Sequence, residues 1–117
     1  MSHIGPETLA ELRGSARELR RLIPDVYKAF ADTHSAALTD GVLDTRTKEL
    51  IALAVSVSKQ CDGCIASHAR GAALAGATRE EVAETLGVSI LMDGGPGTIY
   101  GPRALEAFDS FAAPSND

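Results

Sequence analysis
Cys61, Cys64 and His68, in the segment CDGCIASH, follow the spacing C-x2-C-x3-H, and the chain has no other cysteine. Residues three and four apart share one stripe of a helix, so the three side chains can act on a common point. Cys61 falls at or just before the expected helix start. There the free backbone N–H groups and the positive end of the helix dipole favour a thiolate. A thiolate attacks peroxides and disulfides, and a second cysteine within reach can resolve the resulting sulfenic acid into a disulfide. His68, one turn beyond Cys64, can exchange a proton with it near neutral pH.

The proton relay needs an acid or base behind the histidine, and Glu49 is the candidate, because it lies in the apolar run ELIALAVSV with few other charges nearby. In one continuous helix over residues 46–75, Glu49 and Cys64 would stand about 22 Å apart at 1.5 Å per residue. A break near residues 58–60 with a fold-back instead brings Glu49 level with His68. The expected order from interior to surface is then Glu49, His68, Cys64, Cys61.

Zinc is the rival chemistry. Cys61, Cys64 and His68 supply three ligands, whereas a closed structural site wants four, so Glu49 or His34 would have to complete it. Inert buried thiols are the third reading. A structural staple is disfavoured, since closing so short a loop restrains the unfolded chain by only about 2 kcal/mol. His34 has no partner in sequence and is assigned to the surface or an interface, and His3 to a disordered terminus. Gly94-Gly95-Pro96-Gly97 lacks the Lys-Ser/Thr of a phosphate-binding loop and reads as a tight interhelical turn or close subunit contact.

These residues need a scaffold, and 117 residues suffice for one modest core. The composition, 44% hydrophobic but 4% aromatic, suits closely packed helices. A formal net charge of −5 argues against nucleic acid or an anionic membrane as partner. No apolar stretch has the roughly 18–20 residues of a membrane span, and the first residues, MSHIGPETLAELRG, carry no charged-then-apolar signal pattern. The expectation is a soluble, cytoplasmic protein.

Helical periodicity dominates. Leu9, Leu12, Ala16, Leu19 and Ile23 recur three or four apart, and Pro24 breaks or restarts the helix. Val26, Tyr27 and Phe30 continue an apolar surface toward Leu38. Asp44 or Thr45 caps the helix that carries Glu49. That helix is preferred over a buried strand for its length and its Ala and Leu content. Gly76 reads as a C-terminal cap, and Thr78 with Glu81 as a capping box. A last helix carries Ile99, Tyr100, Ala104, Leu105, Phe108 and Phe111, and residues 112–117 form a frayed tail. Tyr27, Phe30, Tyr100, Phe108 and Phe111 read as core or interface. The fold class is all-α: a compact bundle of about five or six helices forming a single domain over residues 1–117.

Residues 48–96, KELIALAVSVSKQCDGCIASHARGAALAGATREEVAETLGVSILMDGGP, resemble the carboxymuconolactone decarboxylase-like superfamily on its AhpD-like (alkylhydroperoxidase) side. The pattern combines a glutamate twelve residues before the C-x2-C, a histidine four after its second cysteine, AGAT-x-EE, and a GGP turn. DGVLDTRTKE before and YGPRALEAF after fit as well, so the resemblance spans residues 25–111. It implies a helical subunit in a homo-oligomer, a homotrimer or homohexamer, with thiol peroxidase or disulfide oxidoreductase activity. It also implies that Cys64 attacks an organic hydroperoxide and that Cys61 resolves the sulfenate and exchanges disulfides with a dithiol donor, lipoylated or thioredoxin-like. Glu49 and His68 would form the proton relay, with no metal or organic cofactor. Electrostatics alone favours Cys61 as the more acidic thiol, so the division between the cysteines rests on the resemblance. One position departs: the AhpD-like pattern has a histidine immediately before the second cysteine, where this chain has Gly63. The namesake decarboxylases lack the cysteine pair, which sets lactone decarboxylation aside. The other class of function is an oligomeric binding or assembly protein whose cysteines are vestigial or hold zinc.

Overall fold
The computed structural model describes residues 3–112. Among these residues six helices follow one another: α1 (Pro6–Leu22), α2 (Pro24–Leu38), α3 (Thr45–Ser58), α4 (Asp62–Leu74), α5 (Arg79–Asp93) and α6 (Gly95–Ala112). No strand occurs among the described residues, and none of these helices is long and apolar enough to cross a membrane. Of the expected frayed tail, Ala112 closes α6 and the rest lies outside the described residues.

Local chemistry explains the boundaries. Pro24 occupies the first turn of α2, where its missing N–H costs nothing. The Asp44 carboxylate accepts the Thr47 N–H at 2.8 Å and caps α3. The Thr47 side-chain hydrogen bond, and after it this backbone one, hold the Asp44 carboxyl below the usual range. Between α3 and α4, Gln60 adopts a left-handed conformation (φ 53°), and Cys61 N–H donates back to Ser56 O. This reversal is the fold-back expected at residues 58–60. Gly76 (φ 85°) closes α4 in the same way.

Thr78 and Glu81 form a reciprocal capping box at the start of α5: Glu81 N–H donates to Thr78 Oγ1 at 3.1 Å and Thr78 N–H to Glu81 Oε1 at 2.8 Å. Thr78→Ala removes one half of it. The expected cost is about 1 kcal/mol, read as a lower denaturant midpoint at unchanged m-value. The α5–α6 turn is tight, as its glycines suggested. A side chain at Gly97 would come within 2.9 Å of the Ile90 Cα, so only glycine lets the two helices meet there.

The core lies among α3, α4, α5 and α6. Leu53 and Val57 from α3, Ile65 from α4 and Val82 from α5 are its largest fully buried side chains. Ala66, Ala69 and Ala72 on α4 and Ala104 and Ala107 on α6 are buried too. Short side chains on facing helices let the backbones pack closely. This is how a chain poor in aromatics fills its interior. Phe108 is core, and Tyr100 and Phe111 pack against it.

One placement differs from expectation. His3 is ordered: its Nε2 lies 2.8 Å from Ser110 Oγ on α6, and neighbouring Ile4, 3% exposed, anchors the chain start in the core. Much of the apolar face of α1 and α2 is exposed within one chain, although Leu9 packs against the core. Neither helix contributes a buried residue, and Leu19, Val26 and Phe30 are exposed. Ile51, Val55, Val88 and Met92, on α3 and α5, form a second exposed apolar surface.

Candidate active site
Three helices meet at the candidate site. Cys61 is the N-cap of α4, and its Sγ accepts the Cys64 N–H at 3.2 Å. The sulfur therefore sits where a side-chain oxygen usually caps a helix, among the unpaired N–H groups of the first turn. Cys61 and Cys64 are joined by a disulfide, with Cα atoms 5.2 Å apart. Both are half-buried. His68 follows one turn along α4.

The fold-back delivers Glu49 from α3 to His68. His68 Nδ1 lies 2.7 Å from Glu49 Oε1, and with the carboxylate ionised the Nδ1–H donates to it. Glu49 is 7% exposed and His68 half-buried. The contact fixes the tautomer of a neutral imidazole, leaving its Nε2 lone pair free to take or return a proton. Glu49 is the most deeply buried of the four residues, the interior place expected for it, while His68, Cys64 and Cys61 are all half-buried.

Gly71, which the sequence reading passed over, makes this contact possible. A Cβ built there would fall 2.6 Å from Glu49 Oε1 and closer still to the rest of the carboxylate, so the carboxylate rests directly on the α4 backbone. The signal was present in the sequence: a glycine inside a helix is disfavoured by roughly 1 kcal/mol against alanine and calls for a reason.

His34, assigned from sequence to the surface or an interface, also reaches the site. Its ring stacks on His68 with centroids 5.8 Å apart and planes 13° from parallel, and Phe30 lies one turn away at 6.4 Å. Its surface assignment holds, since it is exposed, but it has a partner that sequence spacing could not reveal. A concavity of about 650 Å³ between the end of α1 and α2, lined in part by Arg20, Tyr27, Phe30 and Ala31, reaches His34 and Ser35.

Gly63, where the AhpD-like pattern has histidine, lies beneath α1. A Cβ at Gly63 would come 2.5 Å from Leu12 Cδ1. Leucine on α1 thus takes the space that the histidine would need. Gly63→His is expected to cost about 1 kcal/mol, the low end for overpacking, because Leu12 is partly exposed and can yield. The same substitution in a Leu12→Ala background should cost less. A double-mutant cycle on denaturant midpoints measures the difference.

The zinc reading finds no fourth ligand. Glu49 is engaged with His68, and the His34 ring lies nearly parallel to that of His68 with centroids 5.8 Å apart. Among the described residues, no group of three or more His, Cys, Asp or Glu side chains is arranged to hold a metal ion.

Comparison with known proteins agrees with this architecture. Residues 24–108 match the carboxymuconolactone decarboxylase family. An uncharacterised protein from Cupriavidus necator is 41% identical over 105 residues, covering 90% of this chain and 93% of the relative. Another from Haemophilus influenzae is 40% identical over 102 residues, covering 87% and 90%. A crystal structure of an apo carboxymuconolactone decarboxylase family protein from Legionella pneumophila superposes with a TM-score of 0.86 at 42% identity. That alignment covers 91% of this chain and 95% of the other. With the family pattern spanning most of its length, this chain belongs to the carboxymuconolactone decarboxylase family.

Proposed function
We propose that the protein is a thiol-dependent peroxidase or disulfide oxidoreductase that reduces organic hydroperoxides through Cys61 and Cys64. The observation that carries this reading is a cysteine pair at a helix N-terminus, close enough to be bridged, with a carboxylate-oriented histidine one turn away. The Cys64 thiolate attacks the terminal peroxide oxygen. The O–O bond breaks, the alkoxide leaves as alcohol with a proton delivered by way of His68, and Cys64 becomes a sulfenic acid. Cys61 then attacks the Cys64 sulfur and expels water, forming the disulfide. A dithiol donor, lipoylated or thioredoxin-like, reduces it by two exchange steps. Glu49 keeps His68 in the tautomer that can both accept the thiol proton and return it.

The two exposed apolar surfaces, one on α1 and α2 and one on α3 and α5, support assembly into a homo-oligomer, a trimer or hexamer. The site chemistry calls for no metal or organic cofactor, and a cytoplasmic setting would supply the reductant. The test is consumption of cumene hydroperoxide by reduced protein with dihydrolipoamide as donor. Catalytic turnover supports the proposal. Absence of turnover, with the thiols staying reduced in the presence of peroxide, refutes it and leaves the assembly-protein reading.

A further inference from the structure
His34 stands outside the chemistry just described, yet its ring lies parallel to that of His68. It comes from α2, a helix with no buried residue of its own, which touches the bundle through α1 and α3. A stacked contact from a peripheral helix onto a half-buried histidine is not explained by core formation.

Glu49 holds His68 by a hydrogen bond at the Nδ1 position. An imidazole held by a single hydrogen bond can still rock about it. A relay, by contrast, needs Nε2 aimed at one place, because small misplacements of a catalytic group reduce rate steeply. A near-parallel ring beside the imidazole, with centroids 5.8 Å apart, limits that freedom on one side. Phe30, one turn before His34 on the same helix, flanks the His34 ring.

We infer that His34 is a positioning residue: its ring, stacked on His68, fixes the plane of the imidazole that Glu49 orients and shields the Nδ1–H bond from solvent. The inference rests on the relay reading, and it deepens that reading by adding a part supplied from α2. The planar ring carries the role, and its nitrogens are not required. This separates a positioning role from proton transfer by His34 itself.

The test compares His34→Ala with His34→Phe in the reduced full-length chain. The readouts are steady-state kinetics with cumene hydroperoxide and the NMR signal of the hydrogen-bonded His68 Nδ1 proton. In the unmodified protein that proton is expected to be protected and visible. His34→Ala should lose the signal to exchange and lower kcat by roughly tenfold with little change in KM. His34→Phe, which keeps a flat ring, should retain the signal and most of kcat. Both variants should fold, since α2 buries no residue. Two results overturn the inference: an Ala variant with an unchanged signal, or a Phe variant as impaired as Ala in both readouts. The proton signal can be read even if peroxide is not the substrate, so failure of the peroxidase proposal is distinguishable from failure of this one.

Discussion

Cys64→Ser is expected to abolish peroxide consumption, lowering turnover by roughly 10³-fold or more, the scale on which loss of a nucleophile acts. Cys61→Ser should behave differently. It should still react once with peroxide and leave a sulfenic acid on Cys64 that dimedone can trap, because the resolving thiol is gone. The pair of variants also decides a genuine conflict. Cys61 caps α4 and accepts the Cys64 N–H, so the helix terminus stabilises a thiolate at that position. By that argument alone, Cys61 would be the more reactive sulfur. Cys64 instead lies one turn from His68, where a proton can be removed and returned. The account holds that proton delivery to the leaving alkoxide decides the assignment. A trappable sulfenate on Cys61 in the Cys64→Ser variant would reverse it.

Gly71→Ala is expected to cut turnover by roughly 10²-fold, the low end of what a positioned acid–base group contributes. The substitution puts a methyl group where the Glu49 carboxylate lies, so Glu49 must swing off His68. Helix α4 itself would gain, because alanine is favoured over glycine inside a helix by roughly 1 kcal/mol. Unfolding is therefore a poor explanation for lost activity, and retained helicity by circular dichroism would exclude it. If Gly71 acts through Glu49, then adding Gly71→Ala to Glu49→Gln should lower turnover no further than Glu49→Gln alone. Additive losses would mean that Gly71 serves some other purpose.

What the sequence could disclose was what depends on near neighbours. The capping box of Thr78 and Glu81, the Asp44 cap and the reversal before Cys61 are each set by a handful of consecutive residues, and each was legible. The contact of Glu49 with His68 followed from two short helices and one fold-back, which rigid helix geometry suffices to place. What stayed hidden depends on packing between distant segments. Leu12 over Gly63 and His34 over His68 require knowing how α1 and α2 lie on α4 and α3. Periodicity gives the apolar face of a helix but not the surface that it covers. For the same reason, the apolar stripe of α1 did not disclose that Leu9 packs against the core while Leu19 stays exposed. The docking of His3 and Ile4 on the bundle is another long-range contact that no local motif announces. Gly71 is the exception, a residue whose oddity was visible locally but whose reason lay on another helix.

The most direct test of the central claim is the intact mass of the fully reduced protein after thiol alkylation, with and without one equivalent of an organic hydroperoxide. The account predicts rapid loss of both alkylatable thiols and a decrease equal to two hydrogens, assigned by peptide mapping to a Cys61–Cys64 bond. Two thiols that stay free and alkylate fully after peroxide would contradict it.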